Sequence, residues 1–490
     1  MAEGRAPSPG EATSGGPSPT PEDAPEGAGA ALGEVRATVE RLRAALEPLR
    51  SRPHREIIAS LGRAGARFSD DADPLRRRAL AELPEAARLS PEMARVVLDG
   101  MARDWTTDRL EALVERELPG GVLDGFAPAT SGRSLMAVGP ALCVQIVSGS
   151  VPGVSVHALL RSLLVKAPTL LKPGAGDALL PRLFAEALAE EDPELASALE
   201  VVYWPGGSRE VEEAVLEAAE VVVIYGSDET VEELRALARA TTRVVAYHHR
   251  VGVGVVGRAV LGEEEAARAT AAEVARSVAL FEQRGCVCPQ LVYVEEGAAV
   301  SPADFARLVA AALAELEAEL PGPPSSVETG GSMAQLRGMA EMHAAAGTAE
   351  LHHGGAEGSW TVIYETEPLG GLGGSPRTAR IRPLADVREL GARLSGATAT
   401  PSPEPSSSRS APAALASGPA RPRAALGPHL QSVGYAGLGD RLDEVAAALG
   451  RAGASRVVPF SALAVPPPWW MHDGQGPLRA LVRWVELDDG

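Results

Sequence analysis

Cysteine is scarce in this 490-residue sequence: Cys143, Cys286 and Cys288 are the only three. Three thiols cannot build a disulfide framework, so a reducing, cytoplasmic compartment is expected. Long apolar runs are also missing. No stretch reaches the roughly 18 consecutive apolar residues that a membrane-spanning helix needs. Positive charge is short too, and the net charge is −19. That balance opposes nucleic acid and anionic membrane surfaces as ligands, because both need clustered Lys and Arg. The opening MAEGRAPSPG lacks the basic-then-apolar order of a secretory signal. Aromatic residues are few at 4%, whereas 45% apolar and 23% charged are ordinary for a soluble globular protein.

What is present is a chain long enough for two or three domains with substantial cores. Residues 1–32 hold almost no large apolar side chains and read as a disordered tail. A second such stretch, 396–428, reads as a flexible Pro/Ser-rich insertion. Residues 33–118 carry helical periodicity, as in VRATVERLRAALEPLR. From 141 the pattern alternates between β and α. The candidate strands ALCVQIVS, TLLK, LEVVYW, EVVVIYG, RVVAYHH, VGVGVV and QLVYV are separated by amphipathic helices. This order predicts an α/β fold of doubly wound, mainly parallel sheets. After the Pro/Ser stretch, LQSVGYAGLGDRLDEVAAALGRAGASRVVPF reads as one more strand–helix–strand unit.

Several motifs carry possible chemistry, each with a plainer reading beside it. Gly285-Cys286-Val287-Cys288-Pro289 is a turn between a long helix and a strand, which places a thiol at a sheet edge. A metal pair is disfavoured, since there is no second Cys pair and no suitably spaced His. The plain reading is a buried structural thiol. The run 148–177 sets a Gly/Ser/Pro turn between a strand and a helix, leaving free N–H groups at the helix start. It ends on Lys172-Pro173, where a lysine can meet a ribose or phosphate or simply be solvated. WPGGSREVEEAV, with Gly207, and VVVIYGSDETVEEL, with Gly226-Ser227, are two more turns into capped helices suited to a pyrophosphate. Gly252-x-Gly254-x-x-Gly257 matches a dinucleotide fingerprint, but its interleaved valines make it a strand. Cys143 lies in a β run and reads as core. His248-His249 reads as surface, and His472-Asp473-Gly474 as a turn or a catalytic element.

In this order, VPGVSVHALLRSLLVKAPTLLKPGAGDALLPRLF, VVYWPGG, VVVIYGSDETVEELR, FEQRGCVCPQLVYVEEG and the tail GASRVVPF…MHDGQGPLRALVRWVELDD resemble the bacterial bioluminescence-type (LuxC-like) fatty acyl-CoA reductases. These are a branch of the aldehyde dehydrogenase superfamily. The resemblance spans about 90–395 and 428–490. It implies a cofactor domain over 33–265, a catalytic domain over 266–395, and a C-terminal segment, 429–490, that completes the fold. It implies NADPH-dependent reduction of a fatty acyl-CoA or acyl-protein thioester to an aldehyde, with NADH as the other possible cofactor, in a homo-oligomer. Carried over by position, Cys286 is the nucleophile, Lys172 the cofactor lysine and Gly226-Ser227 the pair beside the pyrophosphate. Gly207, in the WPGG turn read above as suited to a pyrophosphate, is a further expected cofactor contact.

Three departures follow from that resemblance. Ser150, in Gly149-Ser150-Val151-Pro152, stands where the family usually has an asparagine that donates to the developing oxyanion. Cys288 stands where serine is usual, so a second thiol lies near the first. The water-activating glutamate of hydrolytic aldehyde dehydrogenases falls near Ala246-Tyr247-His248-His249, where there is no carboxylate. Hydride addition to a cysteine thioester and collapse to a thiolate needs no such base, and a base would waste the acyl-enzyme by hydrolysis. A hydrolytic aldehyde dehydrogenase and a non-catalytic acyl- or nucleotide-binding scaffold remain the alternatives.

Overall fold

The computed structural model describes residues 27–129, 132–323, 327–355, 358–369, 375–396 and 426–488. Most of both low-complexity stretches therefore lies outside the described residues. The helix Gly27–Ala44 begins inside the stretch read as a tail. Its Val35, Val39 and Leu42 are buried against Trp204 and Val211, and that apolar contact explains why order starts earlier than composition suggests.

Two sheets organise the rest. The first has five parallel strands, in the spatial order Leu199–Val201, Thr169–Lys172, Cys143–Ile146, Val221–Tyr225 and Arg243–Tyr247. In chain order this is 3-2-1-4-5, the doubly wound arrangement, and it leaves a crevice where the winding reverses between Cys143–Ile146 and Val221–Tyr225. Cys143, Val144, Leu170, Val222 and Ile224 are fully buried, as expected for β-branched and aliphatic strands covered by helices on both faces.

The second sheet has seven strands, ordered Ala349–Gly354, Trp360–Glu365, Thr378–Leu384, Pro289–Glu295, Val251–Val256, Leu430–Ala436 and Arg456–Pro459. Only the pair Ala349–Gly354 and Trp360–Glu365 is antiparallel. This corrects the expected boundary at 265. Val251–Val256 pairs with Pro289–Glu295 and Leu430–Ala436, so it belongs to the second sheet, not to the cofactor sheet. The glycines of its GxGxxG pattern serve close approach. A Cβ at Gly252 would lie 2.4 Å from the Cys288 carbonyl oxygen, and one at Gly257 would lie 2.4 Å from that of Gly437.

The C-terminal segment is locked to this sheet by charge as well as by pairing. Arg441 donates from Nη1 and Nη2 to Glu295 at 2.6 and 2.9 Å, and Glu295 also accepts from the Arg258 N–H. The chain end then crosses to a small antiparallel sheet in which Arg483–Asp488 pairs with Arg133–Val138. No described helix is long and apolar enough to cross a membrane.

Gly252→Ala is expected to cost about 1–3 kcal/mol, since its methyl meets backbone that cannot swing aside. Gly33→Ala, exposed in a helix with nothing within 4 Å of its Cβ, is expected to be neutral or slightly stabilising. Urea denaturation of both variants checks this; equal midpoints would refute the close-approach role.

Candidate active site

A cavity of about 370 Å³ opens at the winding reversal of the first sheet. One wall is the C-terminal edge of that sheet: Ser148, Ser150, Tyr225, Gly226, Ser227 and Tyr247. The opposite wall is the turn Gly285–Val287, which enters from the N-terminal edge of the second sheet. The thiol therefore reaches the site from the opposite strand end to the usual α/β position, and faces the usual end of the other sheet. A third wall is the C-terminal loop with Pro466, Trp470 and His472.

The turn that carries Cys286 has an unusual backbone. Phe281, Glu282 and Gln283 all have positive φ, at 56°, 54° and 58°. Each left-handed non-glycine residue costs roughly 1–2 kcal/mol, so the segment needs external support. Arg377 supplies it: its Nε and Nη2 each donate to the Glu282 carboxylate at 2.7 Å, and Nη1 donates to the Leu320 carbonyl. Gln283 accepts from the Thr378 N–H and donates to the carbonyls of Pro289 and Thr378. Arg284 donates to the carbonyls of Ala87 and Arg88, tying the turn to the N-terminal helices.

The structure separates the two thiols. Cys286 lines the cavity, half-buried, and its Sγ lies 4.0 Å from His472 Nε2. Cys288 is fully buried, with its Sγ directed to the Leu280 carbonyl at 3.6 Å. Burial pushes the Cys286 thiol up to about 12, Asp473 adding to the effect while its own backbone N–H, Gln431 and Arg250 oppose it. The resting group is thus a thiol. His472 stacks between Tyr247 at 4.1 Å and Trp470 at 4.4 Å, and Tyr225 stacks on Tyr247 at 4.5 Å.

Of the residues expected to bind cofactor, Gly226 and Ser227 line the cavity with Ser150 and Cys286, whereas Lys172 and Gly207 do not. Lys172 ends the strand beside Cys143–Ile146, with its ammonium 5.8 Å from the Tyr203 ring. Burial lowers its pKa, opposed by Glu212. Gly207, at φ 79°, donates its N–H to the same Glu212.

One expectation is corrected. The helix Val154–Leu164 offers fewer free N–H groups than expected, because buried Asp177 accepts from Gly153 and Ser155 at 2.7 Å each. The helix start left at the crevice is Asp228–Leu237, where Ser227 Oγ accepts from the Thr230 N–H. A dinucleotide fits this edge: the crevice lies at the reversal point, Gly226 presents no side chain to it, and a half-buried lysine stands at the neighbouring strand end.

Sequence reasoning missed Arg161, Tyr225 and Tyr247, and weighed His472 only as a possible element. Arg161 is buried in the cavity wall and donates to the Tyr225 hydroxyl at 3.1 Å. Its signal was available: VHALLRSLL is an apolar helix face interrupted by His157 and, four residues on, Arg161. Of residues 246–249, the stretch near which the hydrolytic glutamate was expected, Tyr247, His248 and His249 line the cavity. The carboxylate that does line the cavity, Asp104, is bound by Arg109 at 2.7 Å.

Two facing doubly wound sheets with a cavity-wall cysteine between them define an aldehyde dehydrogenase-like fold. Solved structures agree. Aldehyde dehydrogenase 21 from Physcomitrella patens superposes with a TM-score of 0.67 at 14% identity, covering 93% of this chain and 90% of that one. A NAD-dependent benzaldehyde dehydrogenase from Corynebacterium glutamicum gives 0.63 at 14%, with the same coverage. An NADP-dependent enzyme from E. coli gives 0.66 at 12%, again covering 93% and 90%.

Within that fold the chain belongs to the acyl-CoA reductase (LuxC) family, whose sequence profile matches residues 50–396. The match begins earlier than the expected 90 and does not include the C-terminal segment. A long-chain acyl-protein thioester reductase from Photorhabdus luminescens is 24% identical over 242 residues, 48% of this chain and 49% of that protein. The similarity thus spans about half the length of that relative.

Replacing Arg377 with Met leaves the buried Glu282 carboxylate without its counter-charge. The expected cost is about 3–5 kcal/mol by chemical denaturation, with Cys286 alkylated faster by iodoacetamide as the turn loosens. A change below about 1 kcal/mol would show that the turn does not depend on this pair.

Proposed function

We propose that this protein reduces a fatty acyl thioester, carried by CoA or by an acyl-carrying protein, to the free aldehyde with NADPH. Cys286 is the nucleophile. The observation that supports this most is its placement: of the two neighbouring thiols, Cys286 lines the cavity at the winding reversal and Cys288 does not.

Attack by Cys286 on a thioester exchanges one thioester for another, so the acyl group stays activated. Lys172, Gly207, Gly226 and Ser227 are the residues proposed to hold the nucleotide. When bound, it supplies the hydride that takes the acyl group to the aldehyde level. Ser150 Oγ and the Cys286 N–H are the candidate donors to the carbonyl oxygen as it gains charge. Removing one such donor can cost about 10²–10³ in rate. Collapse of the thiohemiacetal on Cys286 expels a thiolate, a better leaving group than an alkoxide.

The reading favours reduction over hydrolytic oxidation because residues 246–249, near the expected hydrolytic position, hold no carboxylate, and the cavity's Asp104 is engaged by Arg109. The expected result with tetradecanoyl-CoA and NADPH is nucleotide oxidation matched by tetradecanal and free CoA. Carboxylic acid formed from tetradecanal and NADP⁺, with no thioester reduction, would favour the oxidative reading. Lys172→Met is expected to weaken NADPH binding by about tenfold or more, read by nucleotide fluorescence titration, because a charged hydrogen bond is worth roughly 1.5–3 kcal/mol.

A further inference from the structure

Acyl transfer to a resting thiol must move a proton, and one group on the cavity wall is placed to take it. His472 Nε2 lies 4.0 Å from Cys286 Sγ. The imidazole cannot turn freely, because Tyr247 and Trp470 stack on it with interplanar angles of 17° and 22°. The chain around it is fixed as well. Asp473, at φ 51°, is gripped by Gln431 and by Arg250, and His472 bridges to Gln475. The other cavity histidines pack elsewhere: His248 lies 3.5 Å from Asp228, His249 packs against His429 with ring centroids 6.2 Å apart, and His157 packs edge-on against Trp105.

We propose that His472 accepts the Cys286 proton during acyl transfer and returns it to the departing sulfur. The proposal rests on the reading of Cys286 as nucleophile. As Sγ bonds to the thioester carbonyl carbon, the S–H proton passes to Nε2. When the carbonyl re-forms, the bond from that carbon to the leaving sulfur breaks, and Nε2–H protonates that sulfur. One thioester replaces another, a thiol departs, and nothing is oxidised or reduced.

The titratable and charged groups facing the pair are Tyr225, Tyr247, Arg161, Arg250, Asp473, Arg456 and Cys288. Burial, with Arg161 and Arg250, holds His472 well below the usual imidazole range, so the ring is neutral at neutral pH, and the role requires the tautomer with its hydrogen on Nδ1. The two ring faces that sandwich it favour the transient cation. Asp473, next in the chain, lies 3.1 Å from the Arg250 guanidinium.

The test uses the full chain with tetradecanoyl-CoA and no nucleotide, following acyl-adduct mass with time from about pH 6.5 to 9.5. In the wild type the rate is expected to be nearly flat, because a thiol pushed up to about 12 and a neutral imidazole keep the same protonation across this window. His472→Phe keeps a ring in the stack and removes the nitrogen. It is expected to be about 100-fold slower at pH 7 and to gain about tenfold per pH unit, since only free thiolate then attacks. His472→Gln is read by the same profile should the phenylalanine variant fail to fold, and added imidazole is expected to speed His472→Ala. A flat profile within about threefold of wild type in a folded variant overturns the role of His472 while leaving Cys286 in place. An adduct that persists in Cys286→Ala overturns both.

Discussion

The site depends on one buried ion pair, Arg377 with Glu282. The long helix Glu264–Ala279 must hand the chain to the strand Pro289–Glu295 within a few residues, and it does so through three consecutive left-handed residues. Such backbone persists only where its surroundings over-determine it. Arg377 and Glu282 are both about 2% exposed, with two 2.7 Å contacts, and Gln283 clamps the adjacent strand start. The result is a rigid arm that brings Gly285-Cys286 out of the second sheet and against the open edge of the first. Cys288, two residues further on, has already turned back into the core.

That arm explains why the two sheets share a single chemical site. The first sheet contributes what strand ends do well: the turn at Gly226-Ser227 and the capped helix start that follows it. The second contributes the thiol. The C-terminal segment adds His472 and Trp470, and is itself held by the Arg441–Glu295 pair. Burial and Asp473, opposed by the Cys286 N–H, Gln431 and Arg250, set the electrostatics around the sulfur.

Much of this was legible in the sequence, for identifiable reasons. The β-branched strands Val221–Tyr225 and Val251–Val256 and the amphipathic helices between strands have periods that read directly. The turn at Gly226-Ser227 and the rejection of the GxGxxG pattern followed from local chemistry. Sheet membership did not. Val251–Val256 looks like any other strand, and only its partners, one of them 174 or more residues away, place it in the second sheet. Arg377 is 95 residues from Glu282, and His472 is 186 from Cys286, so neither pairing has a local signal. Asp177 carries no mark in the sequence of capping a helix that begins 23 residues earlier.

The central claim is that Cys286, and not its neighbour, carries the acyl group. Peptide mapping after brief exposure to tetradecanoyl-CoA without nucleotide tests it most directly. The account predicts a thioester-linked tetradecanoyl group on Cys286, cleaved by hydroxylamine and lost in Cys286→Ala but retained in Cys288→Ala. An acyl group found on Cys288, or no acyl group on either residue, would contradict it.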